Sequence, residues 1–111
     1  MYTYRCMVLR VIDGDTVDVG VDLGFNIHFK NRFRLFGIDA PEKNTPEGKA
    51  ARDYLVTMMP PGSDLLVTTE KDKTEKYGRY LGTFSSLETA FDSKSINQLM
   101  VEAGHAVERV Y

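Results

Sequence analysis

The chain has 111 residues, of which 42% are hydrophobic and 11% aromatic, and its formal net charge is −2 at pH 7. This length allows one hydrophobic core and hardly two, so we predict a single domain over residues 1–111. The acidic balance argues against nucleic-acid binding by general basicity. The single cysteine, Cys6, excludes an internal disulfide and a thiolate zinc site, and we expect it to lie on a strand as a small core residue.

The N-terminal residues lack the apolar stretch and cleavage site of a signal peptide. No apolar run approaches the length that spans a bilayer. We therefore expect a cytoplasmic protein with no membrane partner, and a secreted one only if a leader has been removed.

The first third of the chain has the pattern of β-strands. Residues 2–11 are rich in β-branched and aromatic side chains, and residues 17–21 alternate between valine and small or acidic residues. Residues 23–26 are a turn candidate. Residues 27–35 alternate again and predict a third strand with one apolar and one basic face. The basic face carries His28, Lys30, Arg32 and Arg34.

A helix is predicted after this strand, because Thr45 is a capping residue and Pro46 suits the first helical position. It ends at Pro60-Pro61-Gly62. Residues 65–70 and 79–84 predict two more strands, and Ser95 begins a second helix that Gly104 ends. This order predicts a mainly β fold with helices, namely a five-stranded Greek-key barrel of the OB type with two helices packed on it.

Three charged segments lie far apart in the sequence. They are Asp-Gly-Asp-Thr at 13–16, Arg-Leu-Phe-Gly-Ile-Asp-Ala-Pro-Glu at 34–42 and Tyr-Gly-Arg at 77–79. Together they offer carboxylates for a cation, two arginines for a phosphate and a glutamate near the carboxylates. This combination favours phosphodiester cleavage, in which positioning and charge neutralisation provide most of the catalysis.

Asp15 and Asp39 are the predicted metal ligands. A set of oxygen ligands indicates a hard cation, and a site that includes loop carbonyls suits calcium better than magnesium. Asp-Gly-Asp-Thr is also a common turn sequence, and we assign Asp13 to capping that turn.

Arg34 and Arg79 are predicted to bind the phosphate, because a guanidinium group can bond two oxygens at once. Glu42 is the candidate general base, or the group that orients the attacking water. The alternatives are surface ion pairs for the arginines and a first-turn helix acid for the glutamate, although Glu47 suits that last role better.

These motifs and their order resemble the staphylococcal nuclease (thermonuclease-type) family from about Val8 to about Ala106. The resemblance implies that calcium is bound by Asp15, Asp39 and the backbone carbonyl of Ala40. It implies catalytic roles for Arg34, Glu42 and Arg79. It also implies substrate contacts from Tyr77 and Lys76, and base stacking by Tyr111, for which a core or frayed-terminus role is as good an interpretation.

The function implied by the resemblance is a calcium-dependent nuclease that hydrolyses DNA and RNA and leaves 3′-phosphate ends. We expect a preference for single-stranded or frayed regions, since a shallow barrel face admits splayed bases. Two alternatives are an inactive OB-type module that binds nucleic acid or protein, and a structural domain that needs calcium only to fold.

Two departures from the family's best-known member lead to further expectations. Only Lys43, Asn44 and Thr45 separate Glu42 from the helix, where that member has a longer mobile loop, so we expect no substrate contacts from such a loop. The chain also ends at Tyr111, before a third helix. We therefore expect exposed apolar surface and a homodimer formed through that end. The expected surface lies either around Met100 and Val101 or on the tail at Val107 and Val110.

Overall fold

The computed structural model describes residues 2–74, 80–87 and 94–110. Seven strands and two helices lie in this part of the chain. In chain order they are β1 (Tyr2–Asp13), β2 (Thr16–Asp22), β3 (His28–Leu35), β4 (Ile38–Asp39), α1 (Pro46–Met58), β5 (Asp64–Thr74), β6 (Tyr80–Ser86), α2 (Ile96–Glu102) and β7 (Val107–Glu108).

Five of the strands close into a barrel in the order β1-β2-β3-β6-β5, with β5 pairing back onto β1. Neighbouring strands are antiparallel except β3 and β6, which are parallel, with Phe33 opposite Tyr80. The connection through α1 and β5 makes this parallel pairing possible, because parallel neighbours need a long crossover. The predicted OB-type barrel with two helices is confirmed.

Alternation along the strands produces the core. In β2 the side chains of Val17, Val19 and Val21 are buried, whereas Asp18 and Asp22 face outwards. Phe33 and Phe84 meet inside the barrel in an edge-on contact with ring centroids 6.2 Å apart. Burial of these apolar side chains is the main stabilising term of such a fold. Cys6 is also buried, as predicted.

The first helix begins as the sequence predicts. The Thr45 side chain accepts a hydrogen bond from the Gly48 amide at 3.0 Å, and Pro46 occupies the first helical position. Leu55 and the adjoining Met59 are fully buried, so α1 presents an apolar stripe to the rest of the core. The helix fixes the loop that precedes it, which is the loop that carries Glu42.

A buried asparagine attaches the second helix to the barrel. Asn97 accepts from the Phe84 amide at 3.1 Å and donates to the carbonyls of Phe36 and Gly82 at 2.9 and 3.0 Å. These three bonds attach α2 to β6 and to the residue that follows β3. Neither helix of the described residues is long and apolar enough to cross a membrane.

The last described segment forms a short strand that the sequence did not predict. In the β4–β7 pair, Ile38 lies opposite Glu108 and Asp39 opposite Val107. Of the two places expected to expose apolar surface, the tail does so at Val107 and Val110. The alternative around Met100 and Val101 is wrong, because Met100 is fully buried on the inner face of α2 and Val101 is partly buried against the core. The homodimer stays a prediction.

Candidate active site

The first two charged segments meet at one end of the barrel, around an open cleft of about 330 Å³. The turn between β1 and β2, the end of β3, β4 and the loop before α1 all reach it. Its lining residues are Asp13, Asp15, Thr16, Arg34, Asp39, Ala40, Pro41, Glu42 and Lys43. The sequence-predicted residues Asp15, Arg34, Asp39, Ala40 and Glu42 are therefore neighbours in space.

The turn from β1 to β2 holds its two aspartates in place. Asp13 accepts a hydrogen bond from the Asp15 amide at 3.1 Å, which is the capping role assigned to it from sequence. A Cβ atom at Gly14 would lie 2.7 Å from the Cβ of Ala40 and 2.8 Å from that of Ala51. Glycine at this position therefore allows the turn to pack directly against β4 and α1.

Arg34 is the buried cation of the site. Its Nη2 lies 3.3 Å from Oδ2 of Asp15, 3.1 Å from the Ile38 carbonyl oxygen, and in direct hydrogen-bond contact with Asp39. The residue is only 7% exposed, so its guanidinium is fixed by these contacts rather than by solvent. Its Nε is buried with no hydrogen-bond partner in the described part of the chain, an unusual and costly arrangement that is found at functional sites.

Asp15 is held in its charged form. Its Oδ2 accepts from the Ala40 amide and its Oδ1 from the Thr16 hydroxyl, each at 3.0 Å. Burial alone would raise the pKa of Asp15, but the hydrogen bonds from Asp13 and Ala40 and the charge of Arg34 outweigh it and lower that pKa. Asp15 thus remains an anion well into the acidic range.

The neighbouring carboxyl group behaves in the opposite way. Burial, followed by the hydrogen bond to Asp15 and the negative charge of Asp15, raises the pKa of Asp13 to about 6. The two carboxylates of the turn therefore differ, one stabilised as an anion and the other resisting ionisation. The negative charge of the turn is therefore concentrated on Asp15, the carboxylate that contacts Arg34.

Glu42 lines the same cleft on an anchored loop. Its backbone carbonyl accepts from the Thr45 hydroxyl at 2.7 Å and from the Thr45 amide at 3.0 Å. Its side chain is exposed and has no hydrogen-bond or ion-pair partner among the residues that the structure describes. A carboxylate with a fixed backbone and unused acceptor oxygens is available to a water or a substrate in the cleft.

The donor set at this end of the barrel fits a hard cation. One nitrogen of Arg34 touches both Asp15 and Asp39, which shows that the two carboxylates converge on a single position for positive charge. The available ligands are all oxygen atoms, as calcium requires. Within residues 2–74, 80–87 and 94–110, however, no group of three or more His, Cys, Asp or Glu side chains is arranged to hold a metal. A calcium ion here would therefore depend on two carboxylates together with backbone oxygen or solvent.

Four predicted site residues, Lys76, Tyr77, Arg79 and Tyr111, lie outside the described residues. One further residue of the site was not predicted from the sequence. Arg109, next to β7, donates from Nη1 to Oδ1 of Asp39 at 3.4 Å, and its amide bonds the Gly37 carbonyl at 2.7 Å. No local pattern indicates this contact, because it depends on the pairing of β7 with β4.

The comparison with known families agrees with this geometry. The family described as "Staphylococcal nuclease homologue" matches residues 32–111, which is more than half of the chain. The protein belongs to this family. The match includes Arg34, Asp39 and Glu42, whereas the Asp13–Asp15 turn lies before it, so the turn joins the site through its contacts with Ala40 and Arg34.

Several curated relatives match most of this chain. "Protein ParB" of Escherichia coli is 42% identical over 106 residues, which cover 92% of this chain and 55% of that protein. An "Uncharacterized endonuclease" of Escherichia coli O157:H7 is 35% identical, covering 89% of this chain and 57% of the relative. A "Micrococcal nuclease" of Shigella flexneri is 36% identical, covering 93% of this chain and 57% of that protein. The chain thus spans little more than half the length of these relatives.

Proposed function

We propose that the protein is a calcium-dependent nuclease that hydrolyses phosphodiester bonds of DNA and RNA. The observation that carries this proposal is the placement of Arg34, which is buried at the wall of an open cleft and held by both Asp15 and Asp39. Nuclease names among the relatives support the proposal. Each residue of the cleft has its own role when a phosphodiester enters it.

Arg34 supplies charge that is already in position. The Ile38 carbonyl, which is not among the expected calcium ligands, holds its guanidinium at the wall of the cleft before a substrate arrives, so positive charge is already near the place where negative charge builds up on the phosphorus oxygens. We assign Arg79 to the same role on the strength of the sequence resemblance. Two arginines can stabilise a five-coordinate phosphorus better than one because each guanidinium adds a positive charge and can bond two oxygens.

Asp15, Asp39 and the carbonyl of Ala40 would hold the calcium ion. When bound, calcium supplies positive charge that offsets the repulsion between these carboxylates and the phosphate. The separate hydrogen bonds to Asp15, from the Ala40 amide and the Thr16 hydroxyl, keep that carboxylate ionised and oriented toward the cleft. Arg109 helps to position Asp39 by donating to Oδ1, the same oxygen that Arg34 contacts.

Glu42 accepts a proton from the attacking water. The water oxygen forms a bond to phosphorus, the bond from phosphorus to the 5′ oxygen breaks, and the 5′ oxygen leaves as a hydroxyl by taking a proton from solvent in the open cleft. The 3′ oxygen keeps the phosphate, so the products carry 3′-phosphate ends. We expect a preference for single-stranded or frayed substrate, because an open, shallow barrel face admits splayed bases.

One experiment separates this function from its two alternatives. A labelled single-stranded oligonucleotide is incubated with the protein in calcium or in excess EGTA, and products are resolved on a gel. Cleavage in calcium but not in EGTA supports the nuclease, whereas equal cleavage in EGTA contradicts the calcium requirement. Binding without cleavage indicates an inactive module. Neither activity, with a melting temperature that rises with calcium, indicates a structural calcium domain.

A further inference from the structure

The outer face of β3 leads away from the candidate active site. His28, Lys30, Arg32 and Arg34 alternate along it, and their registered partners on β2 are Asp22, Gly20, Asp18 and Thr16. From Arg34 to His28 the strand covers about 20 Å at the usual rise per residue. A basic row of this length, ending at the phosphate-binding arginine, is suited to a chain of phosphates.

Within this row, Lys30 is the basic residue best placed to bind a phosphate. Arg32 is engaged by Asp18, with Nε 2.8 Å from Oδ1 and Nη2 3.2 Å from Oδ2. Lys30 lies opposite Gly20, which offers no side chain, and no ion pair to Lys30 occurs in the described part of the chain. Its exposed ammonium can therefore bind a phosphate without first breaking a salt bridge.

Two depressions flank Lys30 on the barrel surface. One, of about 500 Å³, is bordered by Met7, Leu9, Gly20 and Lys30, and the other, of about 400 Å³, by Leu9, Lys30 and Asn31. We call the two together the outer groove. Gly20 adds no side chain to it, and its wall is apolar at Met7 and Leu9, which are partly exposed. Arg5 and His28 add basic groups, and Asp22 and Asp64 partly balance them.

An exposed aromatic residue stands at the far end of β3, in the turn of residues 23–27. Phe25 is 97% exposed, and both it and Asn26 have left-handed backbone angles, φ 55° and 60°. The turn is closed by hydrogen bonds between Leu23 and Ile27 and from Ile27 to Gly24, each 2.9 Å long. A bulky residue in this conformation is uncommon, and such strain persists mainly where the side chain has a use.

We infer that the outer groove and Phe25 bind the part of a single-stranded nucleic acid that extends beyond the scissile phosphate. Lys30 contacts one phosphate, bases enter the depressions beside Met7 and Leu9, and the Phe25 ring stacks on a base at the end of the row. This inference rests on the proposed function for its substrate class. Base stacking on an exposed ring and a lysine on a backbone phosphate are the usual elements of single-strand recognition. The outer face of β2 and β3 is also where OB-type barrels bind oligonucleotides.

The binding test uses the full chain with Glu42→Gln, so that the substrate stays intact. Fluorescence anisotropy measures its affinity for a labelled single-stranded 12-nucleotide DNA in calcium. Phe25→Ala should weaken binding by about fivefold or more. Lys30→Ala should lower the slope of log affinity against log salt by about 0.7. Lys49→Ala, on the exposed surface of α1, is the matched control and should change neither.

Two further substitutions test stacking itself. Phe25→Trp should retain full affinity, whereas Phe25→Leu should bind as weakly as Phe25→Ala, since leucine keeps the apolar surface but has no aromatic face. Full affinity in Phe25→Leu would overturn the stacking role. Unchanged affinity and salt slope in Phe25→Ala and Lys30→Ala would overturn the whole inference, and would leave the exposed turn as a candidate contact for a protein instead.

A cleavage measurement separates this inference from the proposed function. In the otherwise unmodified chain, Phe25→Ala and Lys30→Ala should reduce kcat/KM on the 12-nucleotide DNA by about fivefold through KM. They should leave hydrolysis of a small chromogenic nucleotide diester unchanged, because that substrate does not reach β3. If the parent protein hydrolyses neither substrate, the proposed function fails, while the anisotropy measurement still decides whether the groove binds nucleic acid.

Discussion

Gly48, in the first turn of α1, lies directly against the backbone carbonyl of Glu42. A Cβ atom on Gly48 would overlap the carbonyl oxygen and lie 2.6 Å from the carbonyl carbon. Thr45 bonds the same carbonyl through its amide and its hydroxyl, and it also caps the helix. The start of α1 and the position of Glu42 are therefore set by one small group of contacts.

Gly48→Ala should displace the Glu42 loop. Alanine favours a helix by about 1 kcal/mol over glycine, but the overlap with fixed backbone costs about 1–3 kcal/mol, so we expect net destabilisation. The displacement should also lower kcat at least tenfold, because small misplacements of a reacting group are costly. Urea unfolding and cleavage assays measure both effects. Gly20→Ala, whose Cβ would meet Lys30 Cγ at an ordinary 3.8 Å, is the matched control for stability.

Glu42→Gln tests the proton acceptor. Glutamine keeps the size of the side chain and its position on the anchored loop, but it cannot take a proton from water. We expect kcat to fall by about 100-fold or more, with an unchanged melting temperature. Glu47→Gln, in the first turn of α1, should retain activity and is the matched control. Equal rates in the two variants would remove Glu42 from the mechanism.

The buried thiol predicts how stability changes at high pH. Burial, with a contribution from the negative charge of Asp64, raises the pKa of Cys6 from 9.0 to about 12. The unfolded chain therefore loses this proton near pH 9 while the folded chain keeps it, so the associated stability is full below pH 9 and is lost as the pH rises toward 12. At pH 10.5 the loss should be about 2 kcal/mol.

Urea unfolding at pH 8 and pH 10.5 checks this prediction, with Cys6→Ala as the reference. The alanine variant should be less stable at pH 8 because of lost packing, and its stability should change less between the two pH values. An identical pH dependence in both proteins would show that other groups cause it.

Much of the fold could be predicted because its signals are local. The alternation of Val17, Val19 and Val21 and the caps at Thr45 and Ser95 determine the elements without reference to distant contacts. The order of the elements then restricts the topology to few choices. Of the candidate site, the positions of Asp15, Arg34 and Asp39 could be predicted as neighbours only through the family resemblance.

The features that could not be predicted depend on long-range pairing. Strands β4 and β7 have two residues each, too short for any periodic pattern, and they exist because Ile38 and Asp39 meet Glu108 and Val107. The contact of Arg109 with Asp39 follows from that pairing. Met100 was expected at an exposed end, but the inner face of α2 covers the barrel and buries it. Helical spacing alone does not tell which apolar face finds a partner.

Arg34 is proposed to stabilise the charge on the reacting phosphate, and lysine substitutions at two arginines of β3 test this role. Arg34→Lys keeps the charge but loses the planar group that bonds both Asp15 and Asp39, whereas Arg32→Lys changes an arginine paired with Asp18 outside the cleft. On a small chromogenic nucleotide diester in calcium, Arg34→Lys should lower kcat/KM by about 100-fold or more, and Arg32→Lys should stay within about twofold of the parent protein. An Arg34→Lys variant that folds normally and keeps the parent rate would show that Arg34 does not stabilise the reacting phosphate.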